Sequence, residues 1–447
     1  MKIKYLVLTG IIISLMPFIT VAQKVVHPLL QSGPMLGYAD MREAMIWLQT
    51  TSAAEVYVTY HDITRPGRTM VTNKVKTGKA EAFTAHLVAD SVEPGHQYKY
   101  QVFINRRPVK LPYNTQFATP PIWKWRSDPP EFTMLTGSCA YINQPEYDRA
   151  GKPYGADYKI FTGMAAQKAD FMLWLGDNLY LREPDWNSAS GIAKRYTHTR
   201  SVPEMQPFLA STHHYAIWDD HDYGPDNSNE SFFNKNQTLE AFRQFWGNPT
   251  YGVGDIEGAI TSFQWGDADF FLLDNRWYRE PDELNNAYKT VIGDKQLTWL
   301  LENLVTSKAT FKIVAMGGQF LSDAPENAEA YSAGGFNKER EIIINFIYQY
   351  NIKNVVFITG DVHYSEISVL KKEGKPAIYD LTFSALTSGP NTSGESWKNT
   401  LRVPGTVVME RNYGMIKFSG PANARKLTVS CLNSDNKKRW EQVIEQE

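Results

Sequence analysis

Cysteine is nearly missing from this chain of 447 residues: only Cys139 and Cys431 occur. Two thiols allow one disulfide between them, which excludes a disulfide-stapled scaffold. Excess charge of one sign is also lacking. Lys and Arg total 46 against 48 Asp and Glu, a formal charge of -2, and no long basic run occurs. That balance argues against a nucleic-acid-binding surface, but a small anionic substrate needs only a local positive site. Neither a Gly-x-Ser-x-Gly nucleophile elbow nor a Gly-x-x-x-x-Gly-Lys-Ser/Thr phosphate loop is present, so two common hydrolase devices are removed. Internal repeats and low-complexity tracts are absent too. Beyond the first residues, no segment is long and apolar enough to cross a bilayer.

The start of the chain is different. Lys2 and Lys4 precede an apolar run, Leu6 to Val21, closed by Thr20-Val21-Ala22. A basic start, an apolar middle and a small residue before the cut predict a signal peptide over residues 1–22. The alternative is an uncleaved anchor, because the run is nearly long enough to span. With cleavage, the mature protein is exported to the periplasm or the medium and keeps no membrane span.

A chain of this length exceeds what one core usually organises, so two domains are expected. Hydrophobic content of 43% and aromatic content of 13% supply the core. Residues 27–121 read as a small all-β domain. Glu55 to Tyr60 and Tyr98 to Phe103 alternate with strand period, and Val92 to Tyr98 has the turn and tyrosine corner of fibronectin III or immunoglobulin-like sandwiches. Its expected role is to pack against the larger domain. Pro120-Pro121 suits a boundary.

Residues 131–435 then alternate strands and helices, and residues 436–447 read as a charged tail. Strands are expected at Phe132 to Leu135, Phe171 to Leu175, Tyr215 to Trp218, Phe270 to Leu273, Phe311 to Met316 and Val355 to Ile358. Helices are expected at 158–168, 237–245, 294–305 and 338–350. Further strands at 377–383, 405–409, 415–419 and 426–431 call for a second sheet packed on the first. Fully apolar strands of this kind belong in buried, largely parallel sheet.

Polar clusters follow four of these strands, after Leu135, Leu175, Trp218 and Thr359. Ligands collect at the carboxyl ends of strands in open α/β sheets, so four clusters point to one pocket. The residue types suit a mixed metal centre better than a nucleophilic triad. Asp177 offers two oxygens and can bridge two cations. Cys139 and Tyr180 are anionic donors suited to a transition metal, iron in particular. Asp220, Asn227 and Asp361 supply hard oxygens for calcium, magnesium or manganese. His363 can ligate as neutral imidazole. His221, between Asp220 and Asp222, is placed to protonate a leaving alcohol. Arg276 reads equally as a bidentate phosphoryl clamp or as an ion pair with an acid such as Asp274. Asn178 either contacts phosphate or shapes its loop, Tyr141 either lines the pocket or packs, and His213 and His214 are expected at the solvent end of their strand. Cys139 retains its rival reading as half of a disulfide with Cys431.

Gly137-Ser138-Cys139, Leu175-Gly176-Asp177-Asn178-Leu179-Tyr180, Trp218-Asp219-Asp220-His221-Asp222, Leu273 to Arg279 and Thr359-Gly360-Asp361-Val362-His363 form an ordered series. With Gly293-Asp294-Lys295-Gln296-Leu297-Thr298-Trp299-Leu300, it resembles the motif series of the alkaline phosphatase D (PhoD-like) family. The resemblance covers most of the chain, the small β domain included. It implies a calcineurin-like metallophosphoesterase fold, an α/β two-sheet sandwich flanked by helices, preceded by the fibronectin III/Ig-like domain. It also implies an Fe3+ and Ca2+ centre that hydrolyses phosphate monoesters and diesters, with Mn2+ or Zn2+ as other possible metals. Cys139, Tyr180 and His363 would hold the iron, Asp177 would be shared, Asp220 and Asp361 would sit on the calcium side, and His221 beside the leaving group. The family commonly follows its acidic motif closely with Asp-Asn; here Tyr223-Gly224-Pro225 intervenes before Asp226-Asn227. The expected partner is a small phosphoester substrate. Two alternatives accompany this reading: a specific phosphodiesterase or phospholipase D-type enzyme on the same centre, and a catalytically degenerate binding protein.

Overall fold

Strands with no polar face have to be covered on both sides, and this requirement builds the layers seen here. The computed structural model of the protein describes residues 27–327 and 329–447. The signal segment expected at 1–22 lies outside them. A nine-stranded sheet has the parallel trio Phe132–Gly137, Phe171–Leu175 and His213–Ile217 at its centre. A six-stranded sheet contains the parallel run Ala268–Leu272, Phe311–Ala315, Val355–Thr359 and Ile378–Thr382.

Alternate residues of these strands serve different layers. Phe171, Leu173, Leu175, Tyr215 and Ile217 share one core with Phe270, Leu272, Ile313, Ala315, Val356 and Ile358, so this core lies between the sheets. Met172, Trp174, Ala216 and Trp218 point the other way, against Phe161, Phe208 and Phe242. On the outer face of the second sheet, Phe271, Val314, Val355 and Phe357 pack with Leu297 and Leu300 of helix Asp294–Thr306 and Ile343 and Ile347 of helix Asn337–Gln349. Gln296 fixes the first of these helices to the sheet. Its amide accepts from the Asp274 backbone N–H at 2.8 Å and donates to the Asp274 carbonyl at 2.8 Å.

The all-β region spans the strands from Leu30 to Ala118. One of its sheets is built on Glu55–Asp62 and Gln97–Ile104. The expected tyrosine corner is present, with the Glu93 N–H donating to Tyr98 Oη at 2.7 Å. The other strands, Leu30–Ala39, Ala44–Thr50 and Thr84–Ala89, continue the nine-stranded sheet, because Leu36 pairs with His213. The Tyr100 hydroxyl donates to the Ala210 carbonyl at 2.8 Å. This small region is therefore joined to the two-sheet layers by backbone as well as side chains.

Three expectations change. The charged tail is an edge strand, Lys438–Glu445, paired antiparallel with Lys426–Asn433; its sparse apolar residues Trp440 and Ile444 are buried while its charges face water. No strand forms at 405–409, where Val408 makes only an isolated bridge to Ser365. His213 and His214 lie within their strand and are buried, not at a solvent end.

Candidate active site

The site begins where the central strands run out. Cys139 follows Phe132–Gly137, Asp177 and Tyr180 follow Phe171–Leu175, the short helix Asp220–Tyr223 follows His213–Ile217, and Asp361 and His363 follow Val355–Thr359 of the other sheet. Two glycines let these ends approach. A Cβ on Gly176, which has φ +90°, would lie 2.6 Å from the Asp219 Cβ, and one on Gly360 would collide with the Ser138 side chain. Cys139, Asp177, Asp361 and His363 all adopt left-handed φ, between 51° and 69°. Such conformations cost non-glycine residues about 1–3 kcal/mol each and concentrate at functional sites.

Seven residues expected at the centre converge. Candidate ligand atoms of Cys139, Asp177 and His363 lie within 4.8 Å of one another, as do those of Asp177, Asp220 and His221, and of Asp219, Asp220 and Asp361. Asp177 belongs to the first two groups, as a bridging carboxylate requires. Tyr180 Oη is 3.1 Å from His363 Nε2 and accepts from Ser388 Oγ at 3.1 Å. His221 packs against the Tyr180 ring at 4.2 Å, tilted by 34°, and places Nε2 3.4 Å from Asp226 Oδ1. Its backbone N–H donates to Asp177 Oδ1 at 3.2 Å.

Burial pushes the Cys139 thiol and the Tyr180 phenol well above their ordinary ranges, and the Asp177 charge adds to both. Burial likewise raises Asp177, with Asp220 next to it, and raises Asp361, with Glu329 next to it. Asp220 goes the other way: burial opposes its ionisation, but the charges of His221 and Arg276 hold it below the carboxylate range. His363 is lowered to about 4 by burial, reinforced by His221, so the imidazole is neutral and free to ligate. Asp219 Oδ2 and Asp220 Oδ1 are buried without a hydrogen-bond partner. So many acidic groups packed together resist joint ionisation, and a cation among them reverses that. The donor set, thiol, phenol and imidazole on one side and carboxylates on the other, fits a metal centre.

Several residues take other places. Asn227 holds Asp220 through its backbone N–H, donating to Oδ2 at 2.7 Å, and its side-chain amide faces Glu329. Asn178 shapes its loop: Nδ2 donates to the Ile217 carbonyl at 2.7 Å, and its N–H donates to Asp222. Asp222 closes a capping box with Asp219, which removes it from His221. The Arg276 guanidinium is fully buried, with Nε on Asp219 and Nη2 3.2 Å from Glu329 and 3.7 Å from Asp220. Its contacts are those of an ion pair with buried acid, its Nη1 has no partner, and Arg276 is not among the residues that line the cavity. Cys139 and Cys431 are separate free thiols, both buried.

The centre opens into a cavity of about 910 Å³. Asp177, Tyr180, Asp220, His221, Asp361 and His363 line it, together with Tyr141, Tyr154, Trp186, Arg149 and Lys152. Sequence reasoning missed Glu329, Tyr154, Ser384 and Ser388. The two serines follow strand Ile378–Thr382, so the strand-end signal that revealed Cys139 and Asp177 was available there; Ser384 Oγ donates to Cys139 Sγ at 3.2 Å. Glu329 and Tyr154 come from loops with no such signal.

A two-sheet sandwich whose strand ends carry these donors defines a metallophosphoesterase fold. The structure of PhoD superposes with a TM-score of 0.75 at 18% identity, covering 94% of this chain and 93% of that one. The purple acid phosphatase PPD1 from yellow lupin (Lupinus luteus) seeds gives a TM-score of 0.66 at 12% identity, covering 93% and 74%. The family model of PhoD-like phosphatase matches residues 134–419, and the chain belongs to that family. A second model, a domain of unknown function (DUF7800), matches residues 27–122. Alkaline phosphatase D of Bacillus subtilis (strain 168) is 26% identical over 367 residues, 69% of this chain and 59% of that relative's length.

Proposed function

We propose that this protein is an exported, metal-dependent phosphoesterase that hydrolyses phosphate monoesters, diesters or both. The observation that carries the reading is the convergence of Cys139, Asp177, Tyr180, Asp220, His221, Asp361 and His363, all of which but the buried Cys139 line one cavity. In this reading Cys139, Tyr180 and His363 would hold iron, Asp177 would be shared, and Asp220 and Asp361 would hold calcium. Metal ions bound there supply Lewis acidity, offsetting phosphoryl charge and making water nucleophilic at neutral pH.

The chain's own residues supply the rest. His221 reaches the cavity with its side chain 21% exposed and gives a proton to the leaving oxygen. Asp226 Oδ1 lies 3.4 Å from its Nε2, and the Tyr180 ring packs against the imidazole at 4.2 Å, tilted by 34°. Asn227 fixes Asp220 through its backbone. Arg276 pairs with Asp219 and, with its charge near Asp220, favours the ionised form of Asp220.

Purified protein assayed on p-nitrophenyl phosphate and bis(p-nitrophenyl) phosphate, beside metal analysis, tests the proposal. Turnover with iron and calcium present supports it, and Asp177→Asn abolishes turnover without loss of folding. Two zinc ions and no iron would overturn the ligand assignment. Near-wild-type turnover in Asp177→Asn would end the bridging role. For export, the secreted protein should begin at Gln23; an N-terminus at Met1 contradicts cleavage.

A further inference from the structure

We infer that Tyr154 is a positioning residue for His363, fixing the imidazole tautomer that leaves Nε2 open towards the Cys139, Asp177 and Tyr180 donors. This rests on the metal-centre reading above.

The ring of His363 lies between two phenols. Tyr180 Oη is 3.1 Å from Nε2 on the centre's side, and Tyr154 Oη is 2.9 Å from Nδ1 on the other. A neutral imidazole has one N–H and one lone pair. For Nε2 to ligate, Nδ1 must carry the hydrogen, and Tyr154 Oη is placed to accept it. A partner on the outer nitrogen orients a metal-binding histidine and raises its basicity.

Tyr154 is itself held in place. Its ring meets Tyr141 edge-on at 5.0 Å and lies over Gly389, where a Cβ would come 2.8 Å from Tyr154 Cε2. Its carbonyl accepts from Arg411 Nη2 at 3.2 Å. Just beyond, the Gly155 N–H donates to Asn143 Oδ1 at 2.8 Å and the Ala156 N–H to the Thr387 carbonyl at 3.0 Å. The backbone of this loop segment is thus anchored, and the partly exposed ring packs on Tyr141 and Gly389.

The test is iron retention by the full-length protein against a competing chelator, for wild type, Tyr154→Phe and Tyr154→Ala. Phenylalanine keeps the ring packing and removes only the acceptor. The expected result is an iron affinity lower by about 10- to 100-fold in Tyr154→Phe, an unchanged melting temperature of the metal-free protein, and a fall in kcat that saturating iron restores while KM holds. Wild-type iron affinity in Tyr154→Phe, with a loss confined to Tyr154→Ala, would show that only ring packing matters and overturn the inference. Wild-type protein that binds neither iron nor any other metal would overturn the metal-centre reading itself, and this inference with it.

Discussion

Replacing Arg276 with glutamine separates two roles for a buried arginine: balancing acid and clamping substrate. The guanidinium is 1% exposed and touches three carboxylates, with Glu329 at 3.2 Å and Asp220 at 3.7 Å beside the contact to Asp219. At an effective dielectric of about 20, each contact at 3–4 Å is worth about 4–5 kcal/mol of attraction. Much of that offsets the cost of taking the charges out of water. Removing one partner from such a network costs about 3–5 kcal/mol, because uncompensated charge stays buried. With an unfolding entropy of about 2.1 cal/mol/K per residue, metal-free Arg276→Gln should melt about 3–6 °C below metal-free wild type. Loss of a positive charge beside Asp220 should also tighten cation binding, so added metal should narrow the gap. The assay is calorimetry of both proteins with and without metal, beside KM for a phosphate ester. Unchanged stability together with a raised KM would refute the reasoning and restore Arg276 as a substrate clamp.

His221→Ala should slow esters of basic alcohols more than p-nitrophenyl esters, since a general acid matters most for a poor leaving group; equal losses would remove that role. Burial lowers His213 to about 4 and His214 to about 3, against 6.5 unperturbed. Between these values the unfolded chain binds protons that the folded one refuses. Stability is thus full above about pH 6.5 and falls towards pH 4, by up to about 1.4 kcal/mol per pH unit for each histidine. Urea unfolding across that range checks it, and His214→Gln, which loses a titrating ring, should flatten the slope; an unchanged slope would contradict the assignment. Alkylation of the metal-stripped, denatured and unreduced protein should label both Cys139 and Cys431, whereas a protected pair would reveal the disulfide that the structure lacks.

The parts legible in the sequence share a local cause. An apolar strand such as Phe171 to Leu175 can only be buried on both faces, and a polar residue after it can only lie at the sheet's edge. Hence Cys139, Asp177, Asp220, Asp361 and His363 could be assigned to one pocket before any coordinates. The Val92 to Tyr98 corner is local in the same way, since donor and acceptor are five residues apart. Where the period was weak the reading failed: Lys438–Glu445 buries only Trp440 and Ile444, too few apolar residues to stand out among the charges.

Other features depend on residues far apart in the chain. Arg276 reaches Asp219 from 57 residues away, and its burial between that acid and Glu329 decides that it balances charge. The pairing of Leu36 with His213, which joins the small β region to the nine-stranded sheet, has no local signature either. Tyr154 meets His363 across 209 residues because Gly389 leaves room for its ring. By itself the sequence determined the strands, the donors at their ends and the family pattern, since each is written within a few residues. Only the tertiary structure decided which side chains face the cavity, which neutralise buried charge and which steady a ligand, because those roles arise from distance, burial and the competition between neighbouring charges.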